Sequence, residues 1–245
     1  MARRAGVMVG ESRAPGELIR LMTSPVWLGS GVARGDGRPV LVLPGLFGND
    51  LYLAPLHGWL MRIGYRPVIS TLAINAGCPE TLRVAAQRNF ESQLRPGQKG
   101  AIIGHSRGGM LGWAIAAALG PRISHLVLLG SPAGAVAAMM RQGSFDSTGA
   151  SVGASATVVR AGNIARRVLS PQCNVPACGC PYVRDMSASL HPSTKITSIG
   201  STEDTIVSAA TCIVPGAENL QVRGSHSGLA QNVDVYRHIG RVLAS

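Results

Sequence analysis

Aromatic residues are scarce: three tryptophans, four tyrosines and three phenylalanines in 245 residues. That leaves no row of stacking platforms for a single-stranded nucleic acid. Lysine is scarcer still, two against 21 arginines, and the formal net charge of +11 is spread singly, with Arg3-Arg4 and Arg166-Arg167 as the only basic doublets. A basic stripe of the kind that grips a phosphate backbone is therefore missing, and no nucleic-acid partner is expected. The longest nearly unbroken apolar run, MLGWAIAAALG, falls well short of the roughly 20 residues that cross a bilayer. The first residues, MARRAGVMVGESRAPG, carry basic side chains with no apolar stretch behind them, unlike a secretory signal. Together these absences predict a cytoplasmic protein without stable membrane insertion.

Five cysteines make an odd count, three of them clustered as CNVPACGC (Cys173, Cys178, Cys180). Zinc needs a fourth ligand, for which His191 is the nearest candidate, but C-x4-C-x-C is not a usual zinc spacing. A disulfide within the cluster, or from it to Cys78 or Cys212, stays open beside the reading as reduced thiols that a cytoplasmic protein favours.

What the chain does have is apolar runs of strand length alternating with helical patterns. Val40–Leu43, bounded by prolines, reads as a strand buried on both faces, and residues 65–71, 101–104, 125–132, 194–201 and 218–224 supply further strands. Helical patterns fall at 15–22, 53–63, 82–94, 106–119 and 233–244. This alternation predicts one α/β domain over 1–245, with a mostly parallel central sheet covered by helices on both faces. Residues 133–193 break the rhythm, being rich in Ala, Ser and Gly, and are too long for a structureless loop. They read as an inserted, partly helical cap.

The stretch IIGHSRGGMLGW places Ser106 between glycines where a strand ends and a buried helix begins. Gly104 and Gly108 make room for a turn too tight for side chains, and the serine hydroxyl lands at a helix N-terminus, where negative charge is favoured. A serine hydroxyl becomes a useful nucleophile only beside a base that a third group orients. Among six histidines, His226 lies on a loop between the last strand and the last helix. His105 is read as pointing away from the site, His57, His125 and His238 as surface or packing residues, and His191 as part of the cap. For the acid, Asp204 in GSTEDTIVS follows a core strand, ahead of Glu203, Asp146 and Asp185.

GHSRGG, GSTEDTIV and GSHSGL, in that order, resemble the nucleophile, acid and histidine loops of the α/β-hydrolases, specifically bacterial lipases and esterases, over residues 40–245. LPGLFGND resembles that family's oxyanion turn, with Pro44 where histidine is usual. The resemblance implies the α/β-hydrolase fold and a Ser106–His226–Asp204 triad. It also implies an oxyanion hole from the backbone N–H groups of Leu46 and Arg107. It implies no metal or organic cofactor, and a small-molecule acyl ester or lipid as the partner. Phe47, Val136, Met139, Met140 and Leu169 are candidates for a substrate pocket, methionine being adaptable to flexible chains. Hydrolysis of short- to medium-chain esters is the expected activity. An acyltransferase or thioesterase on the same residues is the alternative, and a non-catalytic binding protein the reading from another class.

Overall fold

The structure is a computed structural model that describes residues 11–144 and 154–245. Six strands, β1 (Pro39–Leu43), β2 (Arg66–Val68), β3 (Gly100–His105), β4 (Ile123–Leu129), β5 (Lys195–Ser201) and β6 (Glu218–Val222), form one sheet in the order β2-β1-β3-β4-β5-β6. Every neighbouring pair is parallel. A parallel sheet needs cover on both faces, and the strand sequences carry the means. In β1, Val40 and Val42 enter one apolar cluster while Leu41 and Leu43 enter the other; in β3, Ala101 and Ile103 are likewise opposed to Ile102.

The first cluster is closed by α1 (Ala14–Met22), α2 (Ala54–Arg62) and α8 (Val233–Leu243). Trp59 of α2 packs at 4.7 Å, centroid to centroid, on Tyr236 of α8, and its indole N–H donates to the Val26 carbonyl. The second is closed by α3 (Pro79–Gln93), α4 (Arg107–Leu119), α5 (Ala133–Arg141) and α7 (Pro181–Ser187). α4 is apolar nearly all round, as expected for a helix sandwiched between a sheet and other helices.

Of the segment expected to form a cap, α5 buries Ala133, Val136 and Ala137 in the second cluster and α7 buries Tyr182 and Met186 there. α6 (Ala156–Leu169) has no fully buried residue and lies over the cavity described below. Asp146, the competing acid of that segment, lies outside the described residues.

Three strands end before the sequence suggests, β6 stopping at Val222. β2 stops at Val68 because the backbone N–H groups of Ser70 and Thr71 donate to the Asp50 carboxylate instead of a neighbouring strand. β4 stops at Leu129 because Gly130 turns to φ 54°. Among the described residues, no helix is long and apolar enough to cross a membrane.

The turn from β3 into α4 has no room for side chains. A Cβ at Gly104 would sit 2.5 Å from the Gly109 Cα, and one at Gly108 would sit 2.4 Å from the Leu43 carbonyl oxygen. Both obstacles are backbone and cannot swing aside. Gly108→Ala is therefore expected to cost about 1–3 kcal/mol or more, lowering Tm by roughly 2–12 °C in a chain of this size; an unchanged thermal melt would contradict this account of the turn.

Candidate active site

The C-terminal edge of the sheet gathers the residues singled out by the sequence. Ser106 follows β3 directly and holds φ 53°, ψ −122°, a conformation that residues with a Cβ rarely adopt. It is fixed from the neighbouring strand, its N–H donating to the Leu129 carbonyl at 2.8 Å. Gly130, one residue beyond β4, donates in turn to Ile199 of β5 at 2.8 Å, so adjacent strand ends are laced together.

Beyond β5 and β6 lie the acid and the histidine. His226 Nδ1 and Asp204 Oδ2 are 2.6 Å apart, with side chains 6% and 0% exposed. The other Asp204 oxygen, Oδ1, accepts the N–H groups of Ile206 and Val207, both at 2.8 Å, so the carboxylate is held from two sides. Glu203 turns the opposite way and pairs with Arg13 and Arg223. Asp185 is paired with Arg83 and Arg184 beneath α3. Of these three acids, Asp204 alone meets the imidazole.

His105 departs from its expected role. It is fully buried, its Nε2 lies 2.9 Å from the His226 carbonyl oxygen, and the two rings are 4.9 Å apart. Burial, aided by the nearby His226, pushes its pKa down to about 3, so it is neutral and donates from Nε2 to that carbonyl. It fastens the histidine loop from below.

The same loop is fastened from α1 and the residues just before it. Glu17 accepts the Ser225 N–H at 2.8 Å and the Ser225 hydroxyl at 2.6 Å. Glu11 accepts the N–H groups of His226 and Ser227 at 3.1 and 2.8 Å. The Tyr52 hydroxyl donates to the Ser227 carbonyl. These anchors sit 175 to 216 residues away in sequence and have no motif; the one local sign is Glu17, an acidic residue in the first turn of α1.

Asn75, fully buried, does the equivalent for the turn after β1. Its Nδ2 donates to the Pro44 carbonyl at 2.7 Å, its backbone carbonyl accepts the Phe47 N–H, and its backbone N–H donates to Gly48. The turn keeps its shape with proline in place of histidine because the side-chain amide of Asn75 holds it. Arg107 Nη1 donates to Asn75 Oδ1 at 2.7 Å, coupling this turn to the start of α4. Among the described residues the backbone N–H groups of Leu46 and Arg107 have no hydrogen-bond acceptor.

Ser106, Leu46 and Arg107 share the wall of a cavity of about 190 Å³. Val136 and Met140 line it as expected, together with Met110, Val158, Val159, Tyr182 and Ile206. Met139 packs half-buried against the second core cluster, while Phe47 and Leu169 are 45% and 53% exposed and stand outside the lining. The Leu46 side chain packs close against Gly162 of α6, where a Cβ would come within 2.9 Å of it.

Four of the five cysteines fall into two neighbouring pairs, and Cys212 is buried apart from them. Cys178 and Cys180 have sulfurs 2.9 Å apart. Cys173 meets Cys78, and although burial opposes it, contacts from Cys78, the Val175 backbone and Arg166 draw its thiol below the usual range. His191 is exposed and bonded to Ser193, remote from a Cys3His arrangement. Among the described residues no group of three or more His, Cys, Asp or Glu side chains is placed to hold a metal.

With this geometry in place, the solved structures that the chain resembles are informative. An α/β hydrolase enzyme from the metagenome of lagoon sediments at Mar Chica, Morocco, shares 13% identity at a TM-score of 0.50, over 86% of this chain and 90% of that one. A metagenomic carboxyl esterase shares 12% identity at a TM-score of 0.56, over 86% and 76%. A methylesterase from Arabidopsis shares 11% identity at a TM-score of 0.56, over 84% and 99%. The chain has the α/β-hydrolase fold. No protein-family model and no curated protein matches its sequence. In α/β-hydrolase terms, the three loops quoted from the sequence occupy the ends of β3, β5 and β6, and the Pro-Gly-Leu turn that of β1.

Two outcomes follow from these supports. Glu17→Ala leaves Ser225 without its two charge-assisted bonds, each worth about 1.5–3 kcal/mol at most; a Tm lowered by several degrees is expected, and an unshifted melt counts against the anchoring role. His105 gives a pH dependence. Its folded pKa lies below its unfolded value of about 6.5, so the unfolded chain takes up the proton first as pH falls from 6.5 towards 3. Stability attributable to this group is complete above pH 6.5 and declines by up to about 1.4 kcal/mol per pH unit below it. Thermal melts from pH 7 to 4 are expected to fall less steeply for His105→Gln than for the wild type, and parallel curves would contradict the assignment.

Proposed function

We propose that the protein is a serine-dependent carboxylic ester hydrolase that acts on short- to medium-chain acyl esters. The observation that carries this reading is the buried 2.6 Å pair of His226 and Asp204, set on the same sheet edge as the strained Ser106. A carboxylate on Nδ1 fixes the tautomer that leaves Nε2 to accept a proton. In the proposed reaction the Ser106 hydroxyl attacks the ester carbonyl while His226 Nε2 takes its proton and later returns it to the leaving alcohol. The N–H groups of Leu46 and Arg107 stabilise the oxyanion, and the N-terminus of α4 adds its dipole. Water, deprotonated by His226, then attacks the acyl-serine and releases the acid. Asp204, accepting from Nδ1–H, supports the imidazolium at each transfer.

The mostly apolar lining supports an acyl group as the occupant. The cavity is smaller than the ~300–1,000 Å³ usual for drug-sized ligands, which favours the short end of the acyl range. That structurally similar proteins include a carboxyl esterase and a methylesterase agrees with this choice.

The test is hydrolysis of p-nitrophenyl esters from C2 to C12 by the wild type, Ser106→Ala and Asp204→Asn. Turnover strongest at short chain length is expected, falling at least about 1,000-fold in Ser106→Ala and in Asp204→Asn. Activity undiminished in Ser106→Ala would overturn the reading.

A further inference from the structure

Two arginines stand in the wall of this mostly apolar cavity, and nothing in the reaction above uses their side chains. Arg107 follows Ser106 directly, and Arg166 reaches in from the last turn of α6. Arg107 donates from Nη1 to Asn75 Oδ1 at 2.7 Å and from Nη2 to the Gly77 carbonyl at 2.8 Å. Arg166 donates from Nη1 to the Cys173 carbonyl at 2.5 Å. All three acceptors are neutral. Neither arginine has a salt bridge among the described residues, and no Asp or Glu stands among the described lining residues.

Among the described residues, the weak acids near the cavity do not supply the missing charge. The Tyr182 phenol, deep in the same wall, is pushed up by burial to about 12 and stays neutral. Cys173 is the one group drawn towards its anion, in part by Arg166. Burial, with a contribution from the charge of Arg166, pulls the Arg107 guanidinium below its usual range. Placing two like charges at an apolar wall is costly unless something of opposite sign arrives. A guanidinium has five N–H donors in a planar fork, and these contacts leave several unused on each side chain.

We propose that Arg107 and Arg166 together form an oxyanion-binding subsite beside Ser106, so that the preferred substrate is an ester carrying a second, anionic group such as a free carboxylate close to the scissile carbonyl. The two positions divide the work. Arg107 is fixed by Asn75 and Gly77 and sets the depth of the anion. Arg166, on the helix that covers the cavity, meets it from the opposite side. The inference rests on the ester-hydrolase reading for the group that reacts, but anion binding does not depend on turnover.

The experiment therefore has a binding arm and a kinetic arm. Calorimetric titration of the full-length protein with succinate and with inorganic phosphate is expected to give saturable binding of at least one of them. That binding should weaken by about 10-fold or more in Arg166→Gln, in line with the loss of a charge-assisted bond. Succinate binding alone identifies a carboxylate site and phosphate binding alone a phosphate site, either of which supports the proposal. In the kinetic arm, kcat/KM for p-nitrophenyl hemisuccinate over p-nitrophenyl butyrate is expected to exceed about 10 in the wild type. It should fall towards 1 in Arg166→Gln and in Arg107→Gln. Arg107 also braces the Leu46 turn, so Arg166→Gln, on a helix without fully buried residues, is the deciding variant if Arg107→Gln does not fold. No binding of either anion, or a ratio that Arg166→Gln leaves unchanged, overturns the subsite. Loss of all ester turnover with binding intact would instead overturn the hydrolase reading and spare the subsite.

Discussion

Ser106 sits at φ 53° in the turn where the parallel strand β3 reverses directly into the buried helix α4. Such backbone costs about 1–3 kcal/mol and persists only where its surroundings over-determine it. Here they do so from three directions. Gly104 and Gly108 let the turn close against the Gly109 and Leu43 backbones, and the Leu129 carbonyl of β4 takes the Ser106 N–H. α4 has nowhere else to go, because both its faces are apolar and packed. The exposure of the Arg107 N–H at the start of α4 and the place of Arg107 in the cavity wall beside Ser106 both descend from this forced turn.

Around it, the polar groups serve to hold loops rather than to strengthen the fold at large. Loops at the end of a parallel sheet have no ladder to join, so their backbone groups need other partners. Asn75 supplies them for the turn after β1, Asp204 for its own loop, and Glu11, Glu17 and His105 for the loop carrying His226. The choice of a neutral imidazole below and carboxylates above is chemically consistent: the former donates to a carbonyl, and the latter accept from N–H groups. No partner in this set duplicates another.

Much of this could be read from the chain because it is written in local pattern. Unbroken apolar runs at Val40–Leu43 and Ile102–Ile103 specify strands buried on both sides, and G-x-S-x-G between a strand and an apolar helix specifies the turn. Asp204 and His226 are legible because each directly follows a core strand. The supports are not, since Glu11, Glu17 and Asn75 are ordinary polar residues whose meaning comes from tertiary proximity alone. His105 was misjudged for a related reason: alternation along β3 puts it opposite Ser106, but what lies on that opposite face is the far end of the histidine loop. The pocket was half legible. Val136 and Met140 stand out in the sequence as apolar, adaptable side chains of the inserted segment, whereas α6 contributes Val158 and Val159 from a stretch with equally weak pattern. Phe47 and Leu169 are apolar in sequence yet face outward, the usual fate of a fair share of apolar side chains.

The bonds from Glu11 and Glu17 to the histidine loop span 208 to 216 residues of chain. Contacts of such long range form late, because the entropy of closing so large a loop is lost before any bond is gained. The sheet, assembled from successive βα units, does not wait for them. The loop bearing His226 is therefore tied down by segments far apart in the chain. Lifting α1 away would remove the bonds from Glu17 while those of His105, Tyr52 and Asp204 remain, a smaller event than the unfolding of the core. In this architecture the order of the candidate site is set by residues far apart in sequence, closed like a clasp between α1 and the loop that follows β6.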